Sequence, residues 1–376
     1  MRYKYIEKIW NNVKSVDKSS LMELYEVLRD ADCLIPYGSG RSYSAIKIPM
    51  SQYAKMFESP TIITPEDIGF PGNNMYEALR ILKTKYRSIY LIINSGSGES
   101  EEPLAVAYDF ARYMDDYKPD SMRIIGITSN PNSSLGRLAS KYGFNVILKG
   151  RLMKEETLDY LTTGIMGDTF ELGSLFMLQG IVKAIYYGDF SKLDKIYSEY
   201  YSKITKIIDE YVDSDMYEEI ITILERRNNV FIGGRGSAHE VATMTVIRLN
   251  HVKYAIGDHV YRARGSNTPR PRPGDLGILI SYSGETPAVI RWCKHLRDAK
   301  ANVVAIVGNE KSTLAKMADY TFYIETEECY QGMPRDFYMY ASFFLSPMPI
   351  KLIERFKSNG LKLPESLLRY YHSTVE

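Results

Sequence analysis

Two short segments have the composition to hold a phosphate without a lysine. Ser95-Gly-Ser-Gly-Glu-Ser100 follows the apolar run Ser88-Ile-Tyr-Leu-Ile-Ile93, and Ser281-Tyr-Ser-Gly-Glu-Thr286 follows Leu276-Gly-Ile-Leu-Ile280. Each precedes a stretch with helical spacing. Glycine lets the backbone turn tightly and present amides to an oxyanion, hydroxyls add neutral donors, and a helix N-terminus adds partial positive charge. The candidate anion contacts are Ser95, Ser97 and Ser100 in one loop and Ser281, Ser283 and Thr286 in the other. Further loops of the same character supply Ser39, Arg41 and Ser42, then Ser133 and Ser134, and finally Arg235 and Ser237. A single loop of this kind would read equally well as a helix cap. Two in equivalent places favour anion binding. Neither carries the Gly-Lys-Ser/Thr ending of a P-loop or the glycine spacing and ribose-binding acid of a dinucleotide site.

The elements that position these loops occur twice in the same order. In the first half, Cys33-Leu-Ile-Pro-Tyr37 leads into Gly38-Ser-Gly-Arg-Ser42, and Arg123-Ile-Ile-Gly-Ile-Thr128 leads into Ser129-Asn-Pro-Asn-Ser-Ser134. In the second, Asn229-Val-Phe-Ile232 leads into Gly233-Gly-Arg-Gly-Ser237, and Asn302-Val-Val-Ala-Ile-Val307 leads into Gly308-Asn-Glu-Lys-Ser-Thr313. The Ser-x-Ser-Gly-Glu segments begin at 95 and 281 and the Ser-Ser/Thr-Leu segments at 133 and 312, so the offsets agree to within a few residues. Short buried strands alternating with helices predict an α/β fold: two parallel five-stranded sheets, each flanked by helices on both faces. The expected units are residues 1–190 and 191–376, with an amphipathic helix pair over 191–228 and a helix capped by Ser20 near the start. Ligands in such sheets bind beyond the carboxyl ends of the strands.

Composition narrows the partners. Lys+Arg of 47 against Asp+Glu of 46 gives a net charge of +1, so no global field attracts nucleic acid or an anionic membrane. Three cysteines (Cys33, Cys293, Cys329) form no CxxC pair, which suits a reducing compartment without a disulfide framework or zinc site. The charged first twenty residues do not read as a signal peptide, and no run is apolar and long enough to span a membrane. A cytoplasmic location is expected. The 31 tyrosines are scattered and read as packing and surface bias.

Ser-x-Ser-Gly-Glu-Ser/Thr after a strand, followed by Thr128-Ser-Asn-Pro-Asn-Ser-Ser-Leu135, resembles the sugar isomerase (SIS) family over roughly 30–150 and 228–325. Within it, Tyr37-Gly-Ser-Gly-Arg-Ser42, Thr268-Pro269 before Pro273-Gly274-Asp275-Leu276, and Thr169-Phe170-Glu171 are similar to segments of the 6-phospho-3-hexuloisomerase group. The resemblance implies a cofactor-free isomerase of a hexose or hexulose 6-phosphate, a phosphorylated sugar as partner, and a homodimer or higher homo-oligomer. It also implies an acid/base role for Glu171. A carboxylate over two adjacent carbons can move a proton through an enediol, and the apolar helix after Glu171 is expected to desolvate it. Against that stands a plain first-turn glutamate favouring the helix dipole. His239, at a second helix start, is a further acid/base candidate. His259, with Arg262, Arg264, Arg270 and Arg272, reads as a solvated loop.

The halves differ. Aligning Phe170 with Phe337 puts Tyr338 in the place of Glu171, and Arg41-Ser42 becomes Ser237-Ala238. One class of site per chain is therefore expected to be complete. Alternatives are a glucosamine-phosphate deaminase-like enzyme, a phosphoglucose/mannose isomerase-like enzyme, or a non-catalytic phosphosugar sensor. Gly233-Gly-Arg-Gly-Ser237 favours the glucosamine group, but Arg248-Leu-Asn-His-Val-Lys253 replaces the helix that should follow.

Overall fold

Strands buried on both faces need helices on both sides, and the chain supplies them twice. The computed structural model describes residues 2–56, 59–66, 74–151, 159–263, 268–327, 332–361 and 363. The first half runs α1 (Lys4–Lys14), α2 (Lys18–Asp30), β1 (Cys33–Gly38), α3 (Gly40–Tyr53), β2 (Thr61–Ile62), α4 (Met75–Leu82), β3 (Ile89–Asn94), α5 (Glu101–Tyr117), β4 (Met122–Thr128), α6 (Ser134–Tyr142), β5 (Gly143–Ile147), α7 (Tyr160–Thr163) and α8 (Asp168–Tyr186). The second runs α9 (Leu193–Tyr211), α10 (Asp215–Glu225), β6 (Val230–Gly233), α11 (Ser237–Lys253), β7 (Val260–Arg262), β8 (Leu276–Ser281), α12 (Pro287–Asp298), β9 (Asn302–Val307), α13 (Thr313–Met317), β10 (Tyr320–Tyr323), α14 (Phe337–Leu345) and α15 (Pro347–Ser358).

The sheets have orders β2-β1-β3-β4-β5 and β10-β9-β8-β6-β7, which read in opposite directions are the same topology. Every pairing is parallel. Strands β1 and β8 are buried along their whole length, as near-continuous apolar runs in a doubly covered sheet must be. The α2 helix starts earlier than its sequence suggests. Asp17 is the cap, its carboxylate accepting from the Ser20 amide at 2.9 Å, so Ser20 lies inside the helix.

Register fixes which residues of the two halves correspond. Gly38 lies opposite Asn94, the residue before Ser95, and Gly233 lies opposite Leu279, which places Gly234 beside the residue before Ser281. Gly38 therefore matches Gly234, Arg41 matches Ser237, and Gln52 matches Arg248. The match extends to backbone shape, since Gly40 and Gly236 both take positive φ, at 53° and 59°. Helices α3 and α11 lie antiparallel across the junction of the halves. Gln52 at the end of α3 donates to Ser237 Oγ at the start of α11 (2.6 Å), while Arg41 and Arg248, at the opposite ends, share one carboxylate.

Helix α8 is apolar on nearly all sides, and such a helix must lie inside the protein. Its Phe176 ring touches Trp10, Tyr197 and Tyr200, and also Phe343 of the second half. Several tyrosines do more than pack. Tyr200 donates to Asp336 at 2.6 Å in a buried cluster where Gln179 and Lys183 also reach Asp336, at 3.0 and 2.7 Å. Burial works against the Lys183 charge, but Asp336 and Glu327 lift its ammonium above the ordinary lysine range. No helix of the described residues is long and apolar enough to cross a membrane.

Candidate functional site

The two serine loops are built alike, bond for bond. In the first, Ser95 Oγ lies 3.3 Å from Ser100 Oγ and accepts from the Gly98 amide at 3.2 Å. In the second, Ser281 Oγ lies 3.0 Å from Thr286 Oγ1 and accepts from the Gly284 amide at 3.2 Å. Ser97 Oγ and Ser283 Oγ each accept, at 3.2 Å, from the amide of the glutamate two residues on. Those glutamates stitch neighbouring loops together: Glu99 accepts the Ser134 amide at 2.8 Å and Glu285 the Thr313 amide at 2.7 Å. The glutamate of the motif thus occupies the N-termini of α6 and α13 and not those of α5 and α12. Ser133 and Ser312 cap the same short helices through their side chains. Ser133 is therefore a loop-shaping residue, and the Ser134 hydroxyl accepts from Arg137 at 3.3 Å.

Close packing explains the glycine in each motif. A Cβ on Gly98 would sit 2.1 Å from Ser133 Oγ, and one on Gly284 would sit 2.0 Å from Ser312 Oγ, both at positive φ. Gly98→Ala is expected to cost about 1–3 kcal/mol and to weaken anion binding at that loop, because both clash and backbone strain act. Gly40→Ala shares the positive φ but meets open space, so its cost should stay near the backbone penalty of about 1 kcal/mol. Urea unfolding of the two variants checks the difference.

Beside the first loop lies a cluster of four charges drawn from both halves. Arg41 Nη1 is 2.7 Å and Arg248 Nε 2.9 Å from the same oxygen, Asp168 Oδ1. Arg41 Nε and Arg248 Nη2 lie 2.9 and 3.1 Å from Glu171 Oε2. The Arg41–Glu171 contact is an ion pair without hydrogen-bond alignment. Asp168 is 1% exposed, Arg248 3%, Arg41 6% and Glu171 9%, so Glu171 is the member nearest solvent. Burial pushes the Arg248 guanidinium below its ordinary value, against the pull of Asp168. Glu171 Oε1 carries no hydrogen bond among the described residues. It faces Gly167, where a Cβ would lie 3.1 Å from it. Phe170 ties this cluster to the loop, since a Cβ on Gly96 would lie 2.9 Å from its ring. Behind the arginines is a small cavity lined in part by Met244, Thr245, Ser342 and Pro349.

The candidates do not all converge. The Arg41 guanidinium is taken up by Asp168 and Glu171, so it is brought to the carboxylates rather than to the serine loop. Ser237 is buried against Gln52 and does not line the second loop. Ser42 contributes its carbonyl to Asn94 Nδ2 at 2.8 Å. Ser39 is the N-cap of α3 without a side-chain cap bond, and Arg235 is exposed. His239 stands in the first turn of α11, nine residues and about 14 Å along the helix from Arg248. The helix therefore separates it from Glu171. His259 is exposed before β7, at the amino end of the sheet, away from the ligand-binding end. Arg262, Arg270 and Arg272 are exposed; Arg264 and Cys329 lie outside the described residues.

The second half repeats the place but not the charges. Phe337 packs on Tyr282 (ring centroids 5.5 Å apart) as Phe170 packs on Gly96, so Arg335 corresponds to Asp168 and Tyr338 to Glu171. Gln52 there donates to Ser237 and accepts the Arg335 amide at 3.2 Å. The Arg335 guanidinium lies 4.6 Å from the centre of the Tyr282 ring. Arg248 and Gln52, which decide this difference, were not candidates from sequence. Their role depends on the antiparallel crossing of α3 and α11.

The fold and paired loops define a tandem α/β protein with one serine- and glycine-rich loop at the mouth of each sheet. Residues 223–345 match the family model described as the SIS domain, and the first half repeats the sheet topology of that span. A 3-hexulose-6-phosphate isomerase of Methylomonas aminofaciens is 27% identical over 169 residues, 42% of this chain and 87% of that protein. An uncharacterized protein of Archaeoglobus fulgidus is 31% identical over 115 residues, 31% of this chain and 61% of that protein. The solved structure of tagatose-6-phosphate ketose/aldose isomerase from Escherichia coli is similar over 99% of this chain and 97% of its own, with a TM-score of 0.61 and 12% identity, a likeness of fold. The chain spans 61%, 42% and 19% of the lengths of the first three curated relatives it matches.

Proposed function

We propose that the chain isomerises a hexose or hexulose 6-phosphate at the mouth of its first sheet. In this reading the phosphate is held by Ser95, Ser97 and Ser100 and by the amides at the start of α5. Glu171 Oε1 takes a proton from the hydroxyl-bearing carbon next to the carbonyl and returns it to the former carbonyl carbon through an enediol, while the hydroxyl proton passes to the carbonyl oxygen. Arg41 and Arg248 hold the other carboxylate oxygen and so fix the direction of Oε1, which is what a proton carrier between two adjacent carbons requires. No cofactor enters this scheme, because the proton removed is the proton restored.

The observation that carries the reading is a carboxylate with one oxygen anchored and the other without a hydrogen bond among the described residues, beside a loop suited to a phosphate. The second half has Tyr338 in that place, which supports one working site per chain. The name of the Methylomonas relative supports the substrate class. The test is direct: incubate the protein with a panel of hexose and hexulose 6-phosphates and follow isomer formation, with ammonia release measured alongside. Isomer formation on at least one substrate is expected. Ammonia from an amino sugar phosphate would assign a deaminase instead. Binding without turnover across the panel would make the chain a sensor.

A further inference from the structure

A loop of neutral hydroxyls flanked by acids needs a cation to hold a dianion. The first serine loop is followed by Glu101 and Glu102, both exposed at the start of α5, and its own Glu99 is spent on α6. Arg41 and Arg248 are bound to Asp168 and Glu171. Among the described residues, the guanidinium of Arg151, just beyond β5, lies at this mouth without a hydrogen-bond or ion-pair partner.

Arg151 is held from several sides. Its amide donates to Ser129 Oγ at 3.1 Å, and that hydroxyl donates to the Leu148 carbonyl at 2.7 Å, so the residue is tied to the loop after β4. Its stem lies over the phosphate-type loop, where a Cβ on Gly96 would be 3.3 Å from Arg151 Cβ. Its tip borders Gly167, whose Cβ would be 2.8 Å from Arg151 Nη1 and 3.1 Å from Glu171 Oε1. The guanidinium has no hydrogen-bond or ion-pair partner among the described residues, although Arg151 is only partly exposed. The equivalent residue of the second half carries the opposite charge. Leu148 and Ile324 donate alike, to the Thr128 and Val307 carbonyls, and three residues on stand Arg151 and Glu327. Glu327 is paired with Lys183 at 3.1 Å.

We infer that Arg151 is the phosphate-pairing residue of the first mouth, reaching over the serine loop to the anion and setting the sugar against Glu171. This deepens the proposed function and rests on it. A fork of N–H donors suits a phosphate, and pairing it with a dianion gives charge-assisted hydrogen bonds that neutral serines cannot supply.

The experiment compares wild type, Arg151→Met and Arg151→Lys by calorimetric titration with fructose 6-phosphate, inorganic phosphate and fructose, and by steady-state kinetics on the working substrate. Arg151→Met is expected to weaken both phosphate-bearing ligands by about 10- to 100-fold, to raise KM more than it lowers kcat, and to leave the melting temperature unchanged. Arg151→Lys should recover part of the loss. Undiminished binding of either phosphate-bearing ligand in Arg151→Met overturns the assignment, and so does a large fall in melting temperature, which would make the residue structural. Failure of wild type to bind fructose 6-phosphate or any other panel sugar phosphate overturns the functional reading itself, whatever the variants do.

Discussion

Glu171→Gln is expected to lower kcat on the working sugar phosphate by about 10²- to 10⁴-fold, the usual worth of a positioned general base. The substitution keeps size and shape, so the result isolates the chemistry. In the native protein Oε2 faces the Arg41 and Arg248 guanidiniums and Oε1 faces Gly167. A glutamine must keep its carbonyl oxygen toward the arginines, because an amide group there would set donor against donor. Its NH2 then points at the substrate, where it can donate a hydrogen bond but cannot accept a proton. Asp168 still holds both arginines, so the fold should survive. Protection of Glu171→Gln against heat by fructose 6-phosphate, measured beside its kinetics, separates lost catalysis from lost binding. Unchanged kcat would remove Glu171 from the mechanism.

How much of this was readable from sequence depends on the range of the interactions. The central strands β1, β3, β4, β6, β8 and β9 are continuous apolar runs, and the loops after them carry their glycines and hydroxyls in plain order. Three of the four edge strands, β2, β7 and β10, have two to four residues each and only two buried side chains between them, Val260 and Phe322, so no apolar run marks them. Glu171 stood out as a candidate through the resemblance carried by Thr169-Phe170-Glu171, its place at the head of an apolar helix alone reading equally as a residue favouring the helix dipole. Its partners did not. Arg248 lies 77 residues away on a helix of the other half, and its partnership follows only once α3 and α11 are known to cross antiparallel. Arg151 was hidden for another reason: a lone arginine after a strand looks like any surface arginine. Only a guanidinium without a hydrogen-bond or ion-pair partner among the described residues, together with Glu327 in the equivalent place, sets it apart. The glutamate of Ser-Gly-Glu had an obvious position and an unexpected duty, because its acceptor role depends on a neighbouring loop.

Asp168→Ala is expected to cost about 3–5 kcal/mol, the usual penalty for removing one side of a buried ion pair. That is a large part of the roughly 5–15 kcal/mol that holds an ordinary domain together. The aspartate is 1% exposed; one oxygen takes both guanidiniums and the other accepts the Ile165 amide at 2.7 Å. Without it, Arg41 and Arg248 must share Glu171 alone while remaining out of water, and the start of α8 loses a backbone partner. The second half indicates how the same junction can close with less charge. There Ser237, Gln52 and Tyr338 stand where Arg41, Arg248 and Glu171 do, Gln52 donates to Ser237 at 2.6 Å, and Ser44 and Lys47 of α3 reach Glu240 of α11 at 2.9 and 3.2 Å. Removing all four charges together (Arg41→Ser, Arg248→Gln, Asp168→Asn, Glu171→Gln) should therefore cost less than Asp168→Ala alone, since no ion is stranded. Urea unfolding of both variants tests this order. If Asp168→Ala loses less than about 1 kcal/mol, or the fourfold variant is the weaker of the two, the cluster does not hold the halves together in the way its geometry implies.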